Sequence, residues 1–207
     1  MSARARPARE ARTYGEETRE LILKAAEKLF AAKGLQSVSM QDIADEAGVS
    51  RATVFNQFGS KILLLDAITA RSLESYRAML GAALADEEAP TTTLLRRLFR
   101  QMGKGIAGNR NLYREVFVEI RKVSMGLDDE GASPGLKRET FSLLTTIFER
   151  GQERGDVSRA ASAEVLATAF DSLLSGAVIQ WLHAQRRGSL PTLLESLIDV
   201  FLDGAAA

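Results

Sequence analysis

The sequence predicts an all-α protein, and three observations carry that prediction. Apolar residues recur at helical spacing along most of the chain. Ser and Gly stand where helix starts and stops need them. No run shows the strict alternation of a half-buried strand.

The first helix runs from Glu16 to Lys33, with Leu21, Ile22, Ala25, Ala26, Leu29 and Phe30 on one face. Glu16 and Glu17 in its first turn and Lys33 in its last suit the helix dipole, and Gly34 supplies the stop. Ser39-Met40-Gln41-Asp42 is a capping box that starts a second, short helix with Ile43, Ala44 and Ala47 inward. Gly48 ends it and Ser50 caps a third helix, Arg51 to Phe58, which Gly59 breaks. Ser60 caps a fourth, carrying Leu63, Leu64, Leu65, Ile68 and Leu73 towards Leu84. Breakers then separate five further helices, at about 91 to 103, 111 to 125, 135 to 151, 163 to 185 and 191 to 203.

Composition narrows the chemistry. With 27 basic and 27 acidic residues the molecule is not a polycation, so any binding of a polyanion is local. Residues 1 to 61 hold 10 Lys or Arg against 8 Asp or Glu, a small positive bias at the N-terminal end. The absence of cysteine excludes thiolate catalysis and sulfur-ligated metals, and a single histidine, His183, excludes a two-histidine metal site. No apolar h-region follows the arginines at positions 4, 6, 9 and 12, and no apolar run suggests a membrane span. The expectation is a cytoplasmic protein with no metal and no cofactor, and not an enzyme.

The second and third helices with their Ala47-Gly48-Val49-Ser50 turn form a helix-turn-helix, the unit that sets its second helix in a DNA major groove. Gly48 permits the positive φ of a sharp turn, and Val49 fills the space between the helices. Val54 and Phe58, four apart, face inward. Arg51, Ala52, Phe55 and Asn56 are left outward.

The segment Ser39 to Leu65, SMQDIADEAGVSRATVFNQFGSKILLL, resembles the DNA-binding segment of the TetR family of transcriptional regulators. The likeness includes the Ile-Ala-x-x-Ala-Gly-Val-Ser turn and the Phe-x-Ser-Lys that follows it, and spans about residues 16 to 66. It implies a basic arm over residues 1 to 15, a three-helix DNA-binding domain over 16 to 66, and a larger helical effector-binding and dimerisation domain over 67 to 207. It also implies a repressor that binds double-stranded DNA at a palindromic operator and is released by a small-molecule effector. Its recognition helix starts at Arg51, Ala52 and Thr53. Arg51 is the candidate to read a guanine. Phe55 stands where Tyr is usual, so apolar contact replaces a phenolic hydrogen bond to phosphate. Asn56 and Gln57 are candidates for adenine or phosphate, and Ser39 and Lys61 for phosphate at helix N-termini. The arginine-rich arm is a candidate for the minor groove.

In the remainder, Phe99, Met102, Phe117, Ile120, Phe141, Leu144, Phe148 and Phe170 are the candidates to line an effector cavity. The stripes of the last two helices exceed what one small domain readily covers. They either form the protomer's own core or pair with a second copy. Phe170, Leu174, Val178, Trp181, Leu194, Ile198 and Phe201 are the candidates for a homodimer interface. Gly103-Lys104-Gly105-Ile106-Ala107-Gly108 spells a dinucleotide fingerprint with Asp128 beyond it, but a helical pattern precedes it where a strand is required. These glycines are read as a helix break or hinge.

Overall fold

The computed structural model describes residues 8–127, 133–184 and 188–205, with side chains from Gly15 to Asp203 apart from Ser124. The described residues form nine helices and no strand: α1 Ala8–Lys33, α2 Met40–Ala47, α3 Arg51–Phe58, α4 Lys61–Ala85, α5 Thr91–Gly108, α6 Arg110–Ser124, α7 Ser133–Arg154, α8 Ala163–His183 and α9 Leu190–Ala205. The chain divides into two compact units, Met1–Ile68 and Thr69–Ala207, the division falling inside α4.

The first unit folds because α1, the short helices α2 and α3, and the start of α4 share one apolar centre. Ile22, Ala26, Phe30, Ile43, Ala44, Val54, Leu64 and Ile68 are each removed completely from solvent. Burying an aliphatic or aromatic side chain contributes about 1.5 to 3 kcal/mol, so this cluster outweighs the weak propensity of eight-residue helices. One expectation is corrected: α1 begins at Ala8, not at Glu16, so residues 8–15 are helical. Arg4 and Arg6 and the side chains of Arg9 and Arg12 lie outside the described residues.

In the second unit, Phe170 of α8 stands at the middle of an aromatic cluster. Its ring meets Phe99 of α5, Phe148 of α7 and Phe201 of α9 edge-on, at centroid distances of 5.0, 5.6 and 5.1 Å. Such edge-to-face pairs suit the ring quadrupole. Helix α5 has no side-chain cap of its own, and Asp156 serves from far along the chain. Its carboxylate accepts from the Thr91 N–H at 2.8 Å and the Thr91 hydroxyl at 2.9 Å, placing an anion at the helix's positive end.

Several sequence expectations change here. Phe170, Leu174, Val178, Leu194 and Ile198, expected at a dimer interface, are buried in the protomer's own core. Trp181 and Phe201 are partly buried and also pack against that core. Helix α8 is, contrary to expectation, long and apolar enough to cross a membrane by length and composition. Its Leu166, Phe170, Leu174, Val178 and Leu182 are instead covered by neighbouring helices, as in the central helix of a folded domain. The glycine segment is neither hinge nor nucleotide loop: Gly103 and Gly105 lie within α5, which ends at Gly108. A Cβ on Gly103 would stand 3.2 Å from the Pro191 Cα and 3.1 Å from Leu194, so this glycine lets α5 and α9 approach closely. Asp128 lies outside the described residues.

Candidate nucleic-acid interface and effector cavity

Each junction of the helix-turn-helix is fixed by a local hydrogen bond. Ser39 Oγ accepts from the Asp42 N–H at 3.1 Å, and Asp42 Oδ2 in return accepts from the Ser39 N–H at 2.7 Å and its hydroxyl at 2.6 Å. These donations, the hydroxyl foremost, hold the Asp42 carboxyl below its ordinary value. Gly48 takes the left-handed conformation, φ 69°, and the next N–H, that of Val49, returns to the Ala44 carbonyl at 3.0 Å. Ser50 Oγ accepts from the Thr53 N–H at 3.0 Å and starts α3.

Helix α3 then sorts its residues by face. Val54 and Phe58 are buried, whereas Arg51, Ala52, Phe55 and Asn56 are exposed and Thr53 and Gln57 half-exposed. Phe55 keeps 39% of its surface accessible, and the Arg51 guanidinium lies 5.3 Å from its ring centroid. That stacking limits the arginine's freedom while leaving its donors outward. Ser39 is exposed at the start of α2, with its hydroxyl proton committed to Asp42.

Lys61 requires a correction. Its ammonium donates to the Leu35 carbonyl at 2.8 Å and the Val38 carbonyl at 2.9 Å, so it braces the connection between α1 and α2. The expected phosphate contact would compete with these carbonyls, of which that of Leu35 otherwise accepts only the long 3.4 Å bond from the Val38 N–H. The first-turn N–H of Leu63 meets Ser60 Oγ at 3.2 Å, which caps α4.

Sequence reasoning missed Arg19. Its guanidinium lies 4.0 Å from the Phe58 ring centroid and donates to the Gln57 carbonyl at 2.9 Å, fixing the C-terminal end of α3 against α1. A second tie joins Lys28 of α1 to Glu46 of α2. No short-range pattern could reveal the Arg19 contact, because its partners lie 38 and 39 residues away.

The second unit holds a cavity of about 300 Å³ between α4, α5, α6, α7 and α8. Phe99, Met102, Phe117 and Ile120, expected there, do line it. Phe141 lines an adjoining cavity of about 510 Å³. Leu144, Phe148 and Phe170 line neither; they are buried in solid core, because their faces of α7 and α8 meet other helices. The sequence reading overlooked Tyr76, Lys137 and Asp171. Lys137 Nζ donates to Asp171 at 3.0 Å, and the pair lines both cavities. The available signal was an aspartate set in the otherwise apolar run of α8.

A helix capped at its start, carrying arginine, asparagine and an exposed aromatic outward beside a tight glycine turn, is the reading element of a helix-turn-helix DNA-binding protein. Comparison with known proteins agrees. Residues 22–68 match the family described as "Bacterial regulatory proteins, tetR family". The HTH-type transcriptional repressor BepR of Brucella suis is 25% identical over 177 residues, covering 82% of this chain and 83% of that protein. The HTH-type transcriptional regulator TtgR of Pseudomonas putida is 24% identical over 200 residues, covering 94% of each. Among solved structures, the Thermus thermophilus FadR, a TetR-family repressor in complex with lauroyl-CoA, is 25% identical with a TM-score of 0.65, covering 91% of this chain and 95% of that one. The chain is a DNA-binding transcriptional regulator whose residues 22–68 match the TetR family.

Proposed function

We propose that this protein is a homodimeric repressor that binds a palindromic operator and leaves it when a small molecule occupies the cavity of the second unit. In this reading residues 16 to 66 bind DNA, and residues 67 to 207 bind the effector and the second copy. The observation that carries it is the sorting of α3, with Val54 and Phe58 inward and Arg51, Phe55 and Asn56 outward. Arg51 would take the two acceptors of a guanine, Phe55 a thymine methyl, and Asn56 and Gln57 an adenine edge or phosphate. Ala52 and Thr53 would sit close to the bases, and Ser39 would approach a phosphate. Lys61 is left out of this set.

The dimer reading rests on apolar surface that the protomer does not cover. Val165 of α8 and Leu193 and Val200 of α9 are 56%, 38% and 70% exposed, and they replace the buried core residues as the proposed contact. Two-fold pairing would offer two recognition helices to half-sites roughly 34 to 36 Å apart. Effector release is supported by the apolar cavity and by the lauroyl-CoA held by the Thermus relative. Release would follow if the effector binds one arrangement of the two units better than the other. A regulator acting on DNA in this way works in the cytoplasm.

Selection of bound duplexes from a random pool with the intact protein tests the proposal. Recovery of an inverted repeat is expected. Enrichment of no sequence over the starting pool would overturn it.

A further inference from the structure

The two cavities of the second unit adjoin across a common wall, since Phe117, Ile120, Lys137, Asp171 and Ser175 line both. Their chemistry differs. The inner one is walled by Met79, Phe99, Met102, Ile106, Leu174 and Val178, with the charged Lys137–Asp171 pair at its edge. The outer one adds Arg121 of α6 and Arg138 of α7, and Asp171 is the one acidic residue among its described lining.

Charge decides what such a two-part site takes. The Lys137 and Asp171 side chains are only 16% and 27% exposed and lie 3.0 Å apart, so Asp171 is already neutralised and is a poor counter-ion for a cationic ligand. Drawing it away would strand a half-buried ammonium. Arg121 and Arg138 are exposed and have no acidic partner among the described residues, so the outer cavity repels cations and attracts anions. At about 30 Å³ per water-sized group, the inner cavity of about 300 Å³ holds about ten methylene-sized groups. Burial and the Asp171 charge keep the Tyr76 phenol protonated, and it donates to no described residue, so it is a donor for a ligand oxygen near the junction.

We propose that the effector is an anionic amphiphile, its chain of about ten carbons in the inner cavity and its acidic group in the outer one beside Arg121, Lys137 and Arg138. This rests on the effector reading above and deepens it. Two chemical sources supply such an acid group, a free carboxylate or the phosphates of an acyl-CoA thioester.

The test is calorimetric titration of the intact protein with decanoate, decanoyl-CoA, decanol and decyltrimethylammonium, each below its micellar concentration. One or both anions bind at least about tenfold more tightly than the alcohol and the cation, and R121A/R138A lowers anion affinity about tenfold while leaving decanol unchanged. Both arginines are exposed, so the double variant keeps its fold. Preference for decanoate over decanoyl-CoA assigns the free acid, and the reverse assigns the thioester. Equal binding of the cation, or anion binding indifferent to the double variant, overturns the proposal. The sequence between α6 and α7 carries Asp128, Asp129 and Glu130, so the titration is repeated with D128N/D129N/E130Q. Anion preference already present in the native chain supports the proposal; preference that arises only in this triple variant overturns it. DNA binding by the ligand-free protein is measured alongside, so a protein that binds DNA but no anion loses the ligand class and keeps the regulator reading.

Discussion

Replacing Lys61 by Met separates two roles for one residue. The substitution keeps most of the apolar stem and removes an ammonium that donates to the Leu35 and Val38 carbonyls. A hydrogen bond from a charged donor contributes about 1.5 to 3 kcal/mol when desolvated. Lys61 is half-buried, so water takes over part of both bonds, and the combined loss comes down to about 1 to 2 kcal/mol. The Leu35 and Val38 side chains are buried, which keeps the connection in place and limits any compensating movement. For a domain of this size the loss lowers Tm by about 2 to 8 °C, measurable by calorimetry. DNA binding supplies the second readout. Each neutralised phosphate contributes about 0.9 to the slope of log K against log salt, and a lysine committed to carbonyls contributes none. Lys61→Met therefore destabilises the protein and leaves the slope unchanged. An unaltered Tm with a slope smaller by about 1.8, one phosphate for each copy in the bound dimer, would refute the brace and restore a phosphate contact.

Further outcomes follow from the same geometry. Gly48→Ala forces an L side chain into φ 69° and costs about 1 to 2 kcal/mol in denaturant titration, with α2 and α3 otherwise unchanged. Ser39→Ala removes a helix cap and costs about 1 kcal/mol at neutral pH. The Asp42 carboxyl is depressed in the folded state, so its contribution is present above the ordinary value of 3.8 and is lost as pH falls through the depressed one. Acid titration should accordingly show the gap between wild type and Ser39→Ala narrowing below pH 3.8. Val165→Glu with Val200→Glu places charge on two exposed apolar positions of the proposed contact; sedimentation should give a dimer for the wild type and a folded monomer for the variant.

The helix-turn-helix was the most legible part of the chain because its signals are local. Ser39 with Asp42, the glycine at 48, Ser50 with Thr53, and the four-residue step from Val54 to Phe58 all act within a few residues. Periodicity also located the apolar stripes of α8 and α9, but it reports which face is apolar and not what covers it. That is why Phe170, Leu174, Val178, Leu194 and Ile198 were assigned to a partner when α5 and α7 bury them. Lys61 was misassigned for a related reason. A helix start and a positive charge suit phosphate equally well in sequence, and only the fold brings the carbonyls at 35 and 38 within reach. The cavity was half legible: its aromatic and methionine lining follows from helical spacing, whereas the Lys137–Asp171 pair joins helices 34 residues apart.

The central claim is that α3 reads DNA, and affinity of Arg51→Ala for a duplex selected by the wild-type protein tests it most directly. Arg51 is exposed and its guanidinium lies over Phe55, so the substitution leaves thermal stability within about 0.5 kcal/mol. Affinity should fall by about 1 to 3 kcal/mol per half-site, with relaxed preference at a single base position in each. Unchanged affinity and unchanged base preference would contradict the account.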